Sequence, residues 1–249
     1  MLRLPILLTI CALSSSAQNF DVVVYGATPG GIGAAITAAR AGHTVALIEP
    51  QNHIGGMTAG GLSRSDIQTR AAIGGIYREF AAKVYRYYVE RYGAESENAR
   101  ISDGGYMYEP HVAEKILMDM IAAEPRIRLY VGHMLDKASR TGRRLTAMSV
   151  RQLASGRLEN FQGRVFIDGT YEGDLAAAAG ASYRIGRESR AEFNEPHAGV
   201  IYLDPKTHAI LAGTTGAADH RVQAYTFRLC LTTDPANSYT PTQPPIHHP

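Results

Sequence analysis

The sequence predicts an α/β domain built on a parallel sheet, and three observations carry that expectation. Residues 21–25 (DVVVY) form a short apolar run stopped by Gly26. Residues 44–48 (TVALI) form a second such run. Between them, residues 31–40 place Ile32, Ala35, Ile36 and Ala39 on one helical face. Short apolar runs bounded by turn residues suit strands buried on both faces, as parallel strands are. The helical segment stops at Gly42, a residue that readily takes the left-handed conformation closing a helix. Together these segments make one βαβ unit.

The later elements follow in order. Residues 76–92 set Ile76, Phe80, Val84 and Tyr88 four apart, an amphipathic helix ended by Gly93. Its tyrosines (77, 85, 87, 88 and 92) read as packing and interface groups. Pro110 suits a first helical position, and Val112, Ile116 and Met120 carry a helix on to Ala123. Residues 127–131 are strand-like again. Residues 133–168 alternate β-type stretches with turn signals at Thr141-Gly142 and Ser155-Gly156, a three-stranded meander leading into the run 164–168 (RVFID). Arginines 140, 143, 144, 151, 157 and 164 alternate with apolar positions there, as on a solvated sheet face.

The ends read differently. Arg3, the apolar run 4–13 and the small residues Ser15, Ser16 and Ala17 have the pattern of a secretory signal peptide cut after residue 17. From Asp234 the chain turns proline-rich, with prolines at 235, 241, 244, 245 and 249, and reads as an extended loop or linker. His247 and His248 sit in that segment, where no metal is expected. Lys plus Arg number 25 against 23 Asp plus Glu, so charge lends no support to nucleic-acid binding. The two cysteines, Cys11 and Cys230, cannot build a disulfide framework.

Chemistry concentrates at residues 26–31 (GATPGG), between the first strand and its helix. Dinucleotide loops need a tight turn at their first glycine, close backbone approach at the second and close helix–strand packing at the third. Gly26 and Gly31 hold the first and third places, and Thr28 stands at the second, where its hydroxyl could reach a phosphate oxygen. Pro29 and Gly30 open the helix, whose free N–H groups and dipole favour a pyrophosphate. Glu49 lies 23 residues after Gly26, where an acid accepts hydrogen bonds from ribose hydroxyls. A second glycine loop, residues 53–61 (HIGGMTAGG), follows at once and suits a longer cofactor carrying a flavin. A nicotinamide-dependent dehydrogenase is disfavoured by that loop and by the glycine register.

These blocks, with residues 108–113 (YEPHVA), 166–175 (FIDGTYEGDL) and 221–230 (RVQAYTFRLC), resemble an FAD-dependent oxidoreductase family. The likeness is to the glutathione-reductase-type flavoproteins, whose exported bacterial members are sometimes labelled xanthan lyase. It runs from about residue 20 to the end. The resemblance implies a Rossmann-like FAD-binding domain over 18–185, a parallel sheet with helices plus the β-meander, with non-covalent FAD. Residues 186–249 would begin an incomplete substrate domain, because family chains are longer and this one looks like an N-terminal portion. By the same resemblance Gly26, Thr28, Pro29, Gly30 and Gly31 hold pyrophosphate, and Glu49 holds the adenosine ribose. Gly55, Gly56, Met57 and Thr58 lie along the cofactor, and Met134 offers backbone to the adenine. Asp168, Gly169, Thr170, Gly173 and Asp174 form a later contacting turn, with Gly169 where the family usually has alanine.

The expected activity is that of an exported, periplasmic or secreted enzyme passing a hydride from a small organic, carbohydrate-derived substrate to flavin. The alternatives are a truncated, non-catalytic dinucleotide-binding fragment and, less favoured, an NAD(P)-dependent dehydrogenase. Catalytic residues stay unassigned, since His111, Tyr225 and Arg228 are only side chains to examine. His111 reads as a helix-start capping or packing group, Arg228 as a substrate anchor or structural ion pair, and Cys230 as a buried apolar residue. No HExxH, CxxC, Walker or GxSxG motif is present, so hydrolase, zinc and triphosphatase chemistry has no residues to stand on. The expected partner is the small substrate, with no nucleic acid and no membrane once the leader is removed.

Overall fold

Every residue from Val22 to Tyr25 is buried, because strand β1 (Gln18–Tyr25) runs between two parallel neighbours. The computed structural model describes residues 17–223, 232 and 234–239. Residues 1–16, on which the expected leader falls, and Tyr225, Arg228, Cys230 and residues 240–249 lie outside the described residues. After β1 come α1 (Pro29–Arg40) and β2 (Val45–Glu49), completing the expected βαβ unit. The order continues with α2 (Gly56–Ala59), α3 (Gly75–Tyr92), α4 (Glu97–Ile101) and α5 (Pro110–Ala122). Then follow β3 (Ile127–Val131), β4 (His133–Thr141), β5 (Arg144–Gln152), β6 (Leu158–Asp168), α6 (Asp174–Ala178) and α7 (Arg190–Phe193).

The six strands form one sheet in the order β3-β2-β1-β6-β5-β4. The first four are mutually parallel, and β4, β5 and β6 are antiparallel neighbours. The last strand of the meander and the run 164–168 prove to be one strand. β6 pairs with β5 over Leu158–Gln162 and with β1 from Gln18↔Phe161 to Tyr25↔Asp168, so Phe161 and Gln162 lie between both neighbours. That register sets the turn after β1 beside the turn after β6.

Helices cover one face of the sheet. Ile32, Ala35, Ile36 and Ala39 of α1 pack with Val22, Val24, Val45 and Leu47, as the sequence predicts, and α3 and α5 add Phe80, Val84, Tyr88, Val112, Ile116 and Met120. Each fully buried Ile or Leu contributes about 1.5–3 kcal/mol. The small residues of α1 let its axis approach the strands closely. On the other face, Val23, Tyr25, Ala46 and Ile48 meet Met148 and Val150 of β5, Phe161 of β6 and Leu175 of α6. Phe161 lies edge-on to Tyr130, with ring centroids 4.8 Å apart. The six arginines of residues 140–164 are solvent-exposed, as their alternation predicts. Arg40 at the end of α1 bonds Glu79 of α3 and Glu124 after α5, which raises its already high pKa and ties three elements together.

The described residues separate into two compact units, one ending at Gly180 and the other starting at Ala181. In the second, Arg187 and Asp219 exchange backbone hydrogen bonds of 2.9 and 3.1 Å. Their side chains also pair, with Arg187 Nε donating to Asp219 Oδ1 at 2.9 Å. That guanidinium holds the Asp219 carboxyl down, from 3.8 to about 2. A depressed carboxyl pKa stabilises the folded unit above the unfolded value, and the effect is lost as pH falls from 3.8 through about 2. A carbon-13 titration should therefore place the Asp219 midpoint near 2 and move it back toward 3.8 in Arg187→Gln. A midpoint near 3.8 in the unaltered chain would rule the pairing out.

Candidate functional site

The carboxyl ends of parallel strands are where open α/β sheets bind ligands, and three segments meet there in this chain. They are the turn after β1, the loop after β2 and the turn after β6. Gly26 takes φ +99°, and a Cβ there would lie 2.7 Å from the Gly169 carbonyl carbon and the Thr170 nitrogen. At Gly31 a Cβ would lie 1.9 Å from the Gly26 oxygen, and at Gly169 it would come within 2.6 Å of that same oxygen. The helix start and both strand ends thus pack backbone against backbone, which only residues without a side chain allow.

Thr28 is the N-cap of α1, with extended backbone, and its Oγ1 accepts from Gly31 N–H at 3.3 Å. The same hydroxyl donates its one proton to the Gly169 carbonyl at 2.6 Å. The sequence suggests a phosphate oxygen as the partner of this hydroxyl. The structure instead uses it to cap the helix and to tie the first turn to the third. The α1 N-terminus remains suited to an anion. Pro29 has no N–H, Gly31 is capped by Thr28, and the N–H of Gly30 has no intrahelical acceptor.

Glu49 ends β2 and is nearly buried. Its Oε2 accepts from the buried Ala27 N–H at 2.7 Å and its Oε1 from Gln51 N–H at 3.0 Å. Each oxygen keeps a lone pair for a further donor. Gly55, at φ +90°, donates its N–H to the Ala27 carbonyl at 2.8 Å, which draws the second glycine loop against the first. His53 is held between Glu114 Oε1, 2.7 Å from Nδ1, and the Ala59 carbonyl, 3.2 Å from Nε2. In the third turn, Asp168 accepts from Thr170 N–H and Oγ1–H and from Ala176 N–H, and Thr170 Oγ1 accepts from Gly173 N–H. Asp168 is therefore the clamp of this turn. Tyr25 lies beneath the site, its hydroxyl accepting from Leu135 N–H at 2.8 Å. Burial first, and the carboxylates of Asp174, Glu49 and Asp168 after it, push its phenol pKa up.

These segments enclose a cavity of about 470 Å³. Of the residues singled out from the sequence, Gly26, Thr28, Glu49, Gly56, Met57, Thr170 and Asp174 line it. Pro29, Gly30, Gly31, Gly55, Asp168, Gly169 and Gly173 are not among the residues that line it, although they belong to the same three segments. Thr58 lies outside the lining. Met134, the second residue of β4, lies outside the lining, although Gly132 just before the strand donates to the Gln51 carbonyl at 2.9 Å. His111 is exposed on α5, away from the cavity. Tyr171 and Glu172 also line the cavity and were not singled out from the sequence. A groove of about 690 Å³ lies at the other end of β1, along Asn19, Asp21, Thr44 and Arg164, but it sits at the amino ends of the strands. Among the described residues no group of His, Cys, Asp and Glu could hold a metal, and no helix is long and apolar enough to cross a membrane.

Strand, glycine turn, capped helix, strand and terminal acid, closed by a second glycine loop, define a dinucleotide-binding domain. Residues 21–248 match the family described as FAD dependent oxidoreductase. The chain belongs to that family, and FAD is its cofactor. No curated protein matches the chain. Among solved structures, L-proline dehydrogenase from P. horikoshii is 16% identical over 62% of this chain and 23% of its own, with a TM-score of 0.39. AlpK is 17% identical over 68% and 35%, with a TM-score of 0.46. The FAD-complexed glycerol-3-phosphate dehydrogenase from Bacillus halodurans is 11% identical over 72% and 42%, with a TM-score of 0.45. The chain thus spans less than half the length of each of these structures.

Proposed function

We propose that the chain is the N-terminal portion of an exported enzyme of the glutathione-reductase-type flavoproteins, in the group sometimes labelled xanthan lyase. It oxidises a small organic, carbohydrate-derived substrate. The observation that carries the cofactor site is the joint placement of Gly31 against the Gly26 carbonyl and of the Glu49 carboxylate on Ala27 N–H. The residues present fit FAD: a helix N-terminus without a blocking side chain, a strand-end carboxylate with lone pairs free, and a cavity joining the two. When bound, FAD supplies the acceptor for a hydride leaving the substrate. Gly30 N–H and the α1 dipole would receive the pyrophosphate, with Gly26, Thr28, Pro29 and Gly31 setting that approach. Glu49 would accept from the ribose hydroxyls. Gly55, Gly56, Met57 and Thr58 would run along the cofactor, the Met134 backbone would meet the adenine, and the turn holding Asp168, Gly169, Thr170, Gly173 and Asp174 would close the far side.

Export rests on Arg3, the apolar run 4–13 and the small residues up to Ala17. Residues 186–249 would begin the substrate domain. The reading is tested by incubating the purified 249-residue chain with excess FAD, desalting it and recording its visible spectrum. A retained flavin band is the expected result. A soluble, folded, colourless protein refutes it.

A further inference from the structure

We propose that Tyr171 binds the cofactor directly, its phenolic hydroxyl donating to a phosphate oxygen of the FAD pyrophosphate. The inference rests on the FAD reading above. The cavity lining carries three carboxylates, Glu49, Glu172 and Asp174, and neither lysine nor arginine. A pyrophosphate beside them must therefore be held by neutral N–H and O–H donors and by the α1 dipole.

Following each proton leaves few such donors. The Thr28 hydroxyl donates to the Gly169 carbonyl, and the Thr170 hydroxyl donates to Asp168. Both ring nitrogens of His53 face acceptors of the protein itself, Glu114 and the Ala59 carbonyl. Gln51 carries an amide, but its side chain is exposed and nothing described holds it in one place. Tyr171 is different. Its oxygen accepts from Met57 N–H at 2.9 Å, which uses a lone pair and leaves the hydroxyl hydrogen to point elsewhere. The ring lies against Gly56 so closely that a Cβ there would come 2.3 Å from the hydroxyl oxygen. The residue is 53% exposed and lines the cavity, where its hydroxyl can meet a ligand. Of the lining hydroxyls, it is the one whose proton meets no acceptor among the described residues. A donor already oriented costs little to engage, and a hydrogen bond to a charged oxygen is stronger than one to a neutral oxygen.

The test measures FAD and ADP binding by calorimetry on the 249-residue chain and on Tyr171→Phe, with phosphorus NMR of the bound FAD. ADP carries the pyrophosphate without the flavin. Tyr171→Phe is expected to weaken both ligands by a similar factor, about tenfold to a hundredfold, and to shift a bound FAD phosphorus resonance. If FAD weakens and ADP does not, the contact is to the flavin side and the proposal fails. Unchanged or tighter binding of both would show that Tyr171 only closes the wall, or occupies a Met57 N–H that the cofactor itself takes, and would also overturn it. An unaltered chain that binds no FAD removes the cofactor reading together with this inference.

Discussion

Replacing Gly31 with alanine is expected to leave the chain without flavin and to lower its melting temperature by about 6–12 °C. The added Cβ would sit 1.9 Å from the Gly26 oxygen, a backbone atom with no rotamer to turn away. Relief requires α1 to back off from β1, at a cost of about 3 kcal/mol for overpacking at a rigid contact. Each kcal/mol shifts the melting point of a domain this size by about 2–4 °C. The same movement carries the helix N-terminus away from its anion, so cofactor retention falls with stability. Gly30→Ala is the matched control. Its Cβ would meet nothing nearer than Thr28 Oγ1 at 3.8 Å, an ordinary contact. Loss of backbone freedom in the unfolded chain should make that variant neutral, or more stable by about 0.4–1 kcal/mol. Thermal melts and desalted spectra of the two variants check the contrast. Equal effects of the two changes would sink it.

Glu49→Ala is expected to lower stability by about 1–3 kcal/mol and FAD affinity by about a hundredfold or more. The stability loss comes from Ala27, a fully buried residue whose N–H would lose its acceptor. Gln51 is exposed, and water can take over for its N–H. The affinity loss comes from the ribose hydroxyls, which would lose a charged acceptor. Glu49→Gln keeps one oxygen that can accept from Ala27 N–H, so it should preserve most of the stability while still weakening FAD about tenfold. Urea denaturation and FAD titration separate the two terms. A fully stable Glu49→Ala would show that the Ala27 bond contributes little.

How far the chain could be read without its structure depends on the range of the interactions involved. The βαβ unit was legible because β1, α1 and β2 are adjacent in sequence and each announces itself by period or by glycine. The long helices α3 and α5 were legible for the same reason. The four- and five-residue helices α2, α4, α6 and α7 were not, since one turn shows no periodicity. Thr28 read as a departure from a glycine pattern with a hydroxyl to spare. Its acceptor is Gly169, 141 residues away, and no local rule names that partner. Tyr171 lies within residues 166–175, a block that carries the family resemblance, yet its importance comes from reaching Met57, 114 residues away.

The sequence by itself determined the fold class, the turn at residues 26–31 and the acid at the end of the second strand. Each follows from local backbone sterics and hydrophobic periodicity, which act over a few residues. Only the tertiary structure decided which protons are already spent and which remain for a ligand. The parallel register of β6 on β1 sets Gly169 against Gly26 and Gly31, commits the Thr28 hydroxyl and places Tyr171 over the glycine loop. Hydrogen bonds act over about 3 Å in space whatever the distance along the chain, so this allocation of donors exists only once the two strands have paired.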